Sequence, residues 1–323
     1  MTHHLRYSVM LALLMASITV VAAPIDTKPV LWRSPGSVEH LDLFWGMGST
    51  ERAPKAPFVF VAEDTSGSKP KIQVKDEKGV LWTVKLAPQD PAQNEVHAEI
   101  AASRLVWALG YCADENYFVP EAQVGGTKNL KRAASVIGAD GSIRHARFER
   151  LADGAQKLTT WDVEKNRFKG SRELAGLHVL MMILGNWDLP AHNTWVYRVT
   201  TPGAPDVEER YVVTDLGSTF GRMRGGLGSK PTRWNLKEYR DARIVSDVVG
   251  ANLRFKHPLT GSEPLQIPLE HVRWFLSQAT RLSDAQVRQA FTAAGAPAQE
   301  AEDFAAEVMK RIDAIDLAAK RRG

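Results

Sequence analysis

The sequence predicts an α+β fold in two lobes: an antiparallel, β-rich N-terminal lobe carrying one helix, then a mainly helical C-terminal lobe. Three observations carry this. Between residues 57 and 148 the apolar residues recur with the two-residue period of strands, interrupted by a single helix-period segment. From Ser171 onward helix-period segments dominate. Between the two regions Ala152-Asp153-Gly154 forms a glycine-bearing junction. With 323 residues and 44% apolar content, the chain is long enough to fill two cores. The expected boundaries are a leader over 1–23, an extension over 24–56, the first lobe over 57–152 and the second over 153–323.

Arg6 precedes the apolar run Val9 to Val21, which ends in Val21-Ala22-Ala23-Pro24. A basic residue, an apolar stretch and small residues in that order read as a secretory signal cleaved after Ala23, which makes the mature chain periplasmic or secreted. The run is short for a membrane span, and no charged stop-transfer flank follows it. An uncleaved anchor stays open as the alternative; otherwise the mature chain is expected to have no transmembrane span. The net charge of +4 comes from cations scattered among nearly as many acids, so a dedicated nucleic-acid binder is not expected. The single cysteine, Cys112, cannot form an intramolecular disulfide and reads as a small buried hydrophobe.

The strand pattern opens after Pro57. Phe58-Val59-Phe60-Val61 is strand-like, and turn formers from Glu63 to Lys71 break it. Ile72 to Lys75 and Val80 to Leu86 alternate on either side of Asp76-Glu77-Lys78-Gly79, so they form a hairpin. The loop ahead of it holds Ser66, Gly67, Ser68, Lys69 and Lys71. Its backbone N–H groups can face an anion, with an ordinary turn as the competing reading. Lys85 lies between Val84 and Leu86, with Trp82, Val84 and Leu86 on the opposite strand face. A lysine there either snorkels to water or meets a carboxylate and a phosphate.

Asn94 is the expected N-cap of a helix whose apolar face includes Ile100, Leu105 and Leu109, ended by Gly110. Glu95 and Glu99 sit one turn apart on it. Either reads as a solvated helix acid or as a partner for Lys85, and Glu99, nearer the middle, is the preferred partner. Tyr117 to Val124 reads as a further strand. Ala134 to Ile137 and Ile143 to Phe148 read as a hairpin, and Phe148-Glu149-Arg150-Leu151 leads to the junction.

In the second lobe Ser171 caps a helix that runs to Gly185. Gly185-Asn186-Trp187-Asp188 follows, with Asn193 five residues beyond Asp188. The run Tyr211-Val212-Val213-Thr214 then ends at Asp215, ahead of Leu216-Gly217. Two carboxylates and an amide are what phosphoryl transfer requires: one carboxylate orients the attacking hydroxyl, and the other groups hold Mg²⁺ against the phosphates. Gly221 to Lys230 is a glycine-rich basic loop that suits an acidic partner, or is simply a loop. Further helices are expected over 269–278, 283–293 and 298–315, the second opened by the capping box Ser283-Asp284-Ala285-Gln286.

In this serial order the parts resemble an atypical protein-kinase fold, closest to HipA-type serine/threonine kinases. Phosphoinositide lipid kinases and secretory-pathway kinases are more remote. The resemblance spans residues 57 to 225. It implies a two-lobed kinase-like fold, ATP with Mg²⁺ or Mn²⁺, and an acceptor that carries a hydroxyl. By that resemblance Ser66, Gly67, Ser68, Lys69 and Lys71 would cover the nucleotide phosphates, and Lys85, held by Glu99, would bind them. Asp188 would be the catalytic base, Asn193 and Asp215 would hold the metal, and Glu149 and Leu151 would flank the adenine. Two departures stand out. Pro190 occupies the position where related loops carry a histidine, while His192 directly precedes Asn193, and the phosphate loop has one glycine. A catalytically weak nucleotide-binding relative is the alternative reading, and an exported binding domain with Asp188 and Asp215 as turn acids is a third.

Overall fold

The computed structural model describes residues 27–67, 69–86, 95–151, 153–190, 193–201, 203, 206–222, 231–242, 244–255 and 265–320. The expected signal segment 1–23, Ser68, the cap Asn94, His192 and most of the basic loop (223–230) lie outside the described residues.

Five strands, β2 (Phe58–Asp64), β3 (Lys71–Lys75), β4 (Leu81–Leu86), β5 (Glu115–Gly125) and β6 (Ser142–Arg150), close into a barrel in the order β2-β3-β4-β6-β5. Most neighbours are antiparallel. A short parallel pairing of Phe58 with Val124 and Val59 with Gly125 shuts the ring. Closure removes the edge strands that an open hairpin would leave. The period-two pattern explains the filling: Ile72, Val74, Trp82, Val84 and Phe148 point inward and are fully buried. The β3–β4 turn is held by one side chain. The Asp76 carboxylate accepts from the backbone of Lys78 and Val80 and from Trp82 Nε1.

The expected hairpin of 134–137 with 143–148 does not form. Residues Ala133–Ser135 make a 3₁₀ turn, and β6 pairs with β5 and β4 instead. The Glu63 carboxylate accepts from the Lys131 and Ala133 amides, so that backbone is satisfied without a strand partner.

Helix α1 (Glu95–Ala108) is buried on nearly every side, because it lies between the barrel and the helical core. Residues 27–56 are also built in. β1 (Thr27–Val30) runs parallel to β9 (Val207–Val213), at one edge of a sheet completed by β8 (Thr194–Thr200) and β7 (Ala155–Thr160). Val38 and Leu43 enter the main core, and Gln286 Nε2 donates to the carbonyls of Val38 and Leu41.

The remaining helices surround that core. The first, α2 (Arg172–Leu184), begins with the Ser171 side chain accepting from the Leu174 amide and ends at left-handed Gly185 with φ 64°. After α3 (Leu236–Asp241) come three short strands that the sequence did not reveal: β10 (Val245–Val249), β11 (Asn252–Phe255) and β12 (Leu265–Pro268). Then follow α4 (Leu269–Ala279), α5 (Asp284–Ala293) with both bonds of its capping box, and α6 (Ala298–Lys320), which runs five residues past its expected end. No helix among the described residues is long and apolar enough to cross a membrane.

Candidate active site

A cleft of about 980 Å³ opens between the outer face of the barrel, the start of α1, strand β8 and the segment that follows β9. The Asp76–Gly79 turn sets the β3–β4 register, which directs Trp82 and Val84 into the barrel and Lys85 out toward α1. Ser66, Gly67, Lys69 and Lys71 line the entrance, Glu149 and Leu151 the far wall, and Lys85, Glu99, Asn193 and Asp215 the floor. Asp188 is not among the lining residues. It is half-buried beside the cleft, its amide donating to Asn186 Oδ1 and its carbonyl accepting from Asn193 Nδ2 at 3.3 Å.

The floor is an ion network. Lys85 Nζ donates to Glu99 Oε2 at 2.8 Å, to Asp215 Oδ1 at 2.8 Å and to Glu95 Oε1 at 3.0 Å. Both glutamates therefore hold the lysine, not Glu99 alone as the sequence predicts. Each glutamate has further cations. Arg147 pairs with Glu99 and, at 2.5 Å, with Glu149, while Arg233 and Lys69 pair with Glu95. Glu95, Glu99 and Asp215 have oxygens within 4.8 Å of one another, a spacing that could hold a metal. Here Lys85, Arg147, Arg233 and Lys69 already neutralise the two glutamates, which leaves half-open Asp215 as the carboxylate of that trio with room for a metal.

Burial and charge compete at each group. Burial pushes Glu99 upward and outweighs the pull of Arg147 and Lys85. Burial also raises Glu95 and Asp215, but their cations win and hold both below the usual carboxylate range; Lys85 is the largest in each case. Lys85 is desolvated, yet Glu99, Asp215 and Glu95 together drive its affinity for a proton well above the ordinary lysine value. The floor is thus one ammonium clasped by Glu95 and Asp215, which its charge keeps ionised, while burial pulls Glu99 toward its acid form.

Backbone geometry brings Asp215 there. It follows β9 at φ 51°, a left-handed conformation that aspartate tolerates better than most residues. Two residues on, a Cβ at Gly217 would stand 2.2 Å from Glu95 Cγ, so only glycine lets this segment touch α1.

Three participants were missed in the sequence. Arg147 is paired in register with Lys85 across β4 and β6, which puts both cations on one face. Arg233 reaches Glu95 across 138 positions of chain. Asp114, just before β5, lines the cleft beside Glu149 and Arg147. The only local signal was alternation on β6, which sets Arg147 opposite Phe148 and Ala146.

Burial, followed by repulsion from Glu149, raises Asp114 well above the usual aspartate range. An acid raised on folding costs stability as pH climbs from its ordinary value through the raised one, and costs nothing below. Asp114→Asn is therefore expected to raise the melting temperature near neutral pH and to leave it unchanged in acid below the ordinary aspartate range. Melting curves across pH check this; an equal shift at every pH would contradict it.

No protein-family model and no curated protein matches this sequence. Solved structures do. The proinflammatory kinase CtkA of Helicobacter pylori superposes with a TM-score of 0.51 at 12% identity, covering 84% of this chain and 100% of that one. The Rio2 kinase of Chaetomium thermophilum, in a complex with ADP/Mg²⁺-phosphoaspartate, gives 0.30 at 10% identity, over 79% and 72% of the two chains. The similarity to CtkA shows a kinase-like α+β fold for this chain.

Proposed function

We propose that this chain is an exported, two-lobed kinase of HipA-like type, with lobes over 57–152 and 153–323. It would transfer the γ-phosphate of ATP to a hydroxyl on a protein, lipid or small molecule. The observation that carries this reading is Lys85 Nζ held 2.8 Å from both Glu99 and Asp215 in a cleft that Asn193 also lines. All three N–H groups of this lysine are engaged, so binding a phosphate oxygen would draw one of them off a carboxylate, half-open Asp215 being the accessible one.

The residues fit the cofactors. Asp215 and Asn193 both line the cleft and offer hard oxygen donors suited to Mg²⁺ or Mn²⁺, with Asn193 Nδ2 donating to the Asp188 carbonyl. Bound Mg²⁺ would neutralise charge on the phosphate oxygens. Lys85 would hold the phosphates, the Ser66–Lys71 loop would cover them, and Leu151 would pack on the base. Asp188 would accept the proton of the attacking hydroxyl, and the basic loop from Arg222 to Lys230 suits an acidic acceptor. Export rests on the 1–23 segment.

A second reading, a nucleotide-binding protein with weak transfer, draws on the position of Asp188 outside the cleft lining. Turnover of ATP to ADP with Mg²⁺, read together with phosphate incorporation by mass, separates the two. Asp188→Ala is expected to lower turnover about 10²–10⁴-fold with nucleotide affinity little changed. Equal turnover in the two proteins would favour the second reading.

A further inference from the structure

Beside the cleft lies a second cavity of about 430 Å³, which shares Asp114, Glu149, Arg150, Leu151 and Tyr197 with it but is not lined by Lys85. One wall is the apolar sheet face made by Tyr197, Val199 and Val212, a small hydrophobic cluster separate from the main core. The opposite wall is Trp107, Tyr111 and Leu41, which belong to the main core or pack against it. Two hydrophobic surfaces thus border one recess, joined at its edge where the Val213 amide donates to the Cys112 carbonyl at 3.3 Å. Protein interiors hold few voids larger than a water molecule, and a recess of this volume is in the range of small-molecule sites.

Its charge is uneven. Arg33 and Arg210 line the cavity and share one carboxylate, Glu208, which is not part of the lining; Arg210 Nε lies 3.0 Å from Glu208 Oε2. Two guanidiniums on one carboxylate leave a positive charge to spare at the rim, where the Arg33 side chain is 48% exposed. Cys112 also lines the cavity, close enough to feel both arginines, although burial pushes its thiol up to about 11.

We propose that this recess is a second small-molecule site, one that takes a ligand with an apolar or aromatic body and a single anionic group set against Arg33 and Arg210. The site needs neither Lys85 nor Asp215, although Glu149 and Leu151, assigned above to the adenine, also border it. Ligands of this kind gain from burying the body between the two walls and from a charge-assisted bond at the rim.

The probe is 8-anilinonaphthalene-1-sulfonate, an aromatic body with one sulfonate. Added to the full chain, it should bind at one saturable site and raise the melting temperature, as a ligand of the native state does. Cys112 is the only cysteine, so iodoacetamide alkylation followed by mass reports on this cavity alone. Bound probe should slow that alkylation in the unaltered protein, with no variant needed. Arg33→Ala, at an exposed position, should weaken binding about tenfold. Val199→Trp should fill the recess and remove the saturable site. Failure to saturate, a lowered melting temperature, or alkylation of Cys112 that is indifferent to the probe would each overturn the proposal.

Discussion

Lys85→Ala is expected to reduce phosphoryl transfer about 10²–10³-fold while the chain still folds. The loss follows from position: Nζ is the group in the cleft floor that bonds both glutamates and Asp215 at once. Survival of the fold follows from the other cations. Without Lys85, Glu99 keeps Arg147, Glu95 keeps Arg233 and Lys69, and Asp215 is half open to solvent. Single-turnover kinetics read beside a melting curve check both halves. A variant that unfolds would show the ion network to be structural first; one with full turnover would remove Lys85 from the chemistry.

Arg147→Leu should do the reverse and destabilise the fold by about 3–5 kcal/mol, the usual cost of removing one partner from a buried ion pair. Arg147 is 4% exposed and joins Glu99, itself 1% exposed, to Glu149 on its own strand. No other cation reaches Glu149 among the described ion pairs, and Asp114 would lose the charge that moderates its burial. Urea denaturation measures the change. The double variant Arg147→Leu/Glu99→Leu should recover part of it, because a carboxylate is no longer left buried alone. A loss below about 1 kcal/mol in the single variant would mean that the pair is solvated, as surface pairs are.

Much of this architecture could be read from local pattern. The β3–β4 hairpin, the Ser171 and Gly185 ends of α2 and the capping box of α5 each depend on residues within one turn or one ladder of each other. What stayed hidden depends on register between distant segments. That Arg147 faces Lys85 requires β4 to pair with β6 across 62 positions, and nothing in either strand states that pairing. Arg233 and Asp114 belong to the same class. The misread hairpin at 134–137 has a related cause, since a single distant carboxylate, Glu63, satisfies that backbone. Strands β10–β12, of four or five residues, are too short for alternation to separate them from loop. The candidate site was legible as residue types in serial order, while its second layer of charge was not.

The measurement that bears most directly on the central claim is a thermal-shift titration of the full chain with ATP, with and without Mg²⁺, beside Asp215→Ala. A native-state ligand at a hundred times its dissociation constant adds about 2.7 kcal/mol of stability, a readily detected rise in melting temperature. The account predicts a rise with ATP that requires the metal and disappears in Asp215→Ala. Unchanged melting with every nucleotide and metal, or a rise that Asp215→Ala retains in full, would contradict it.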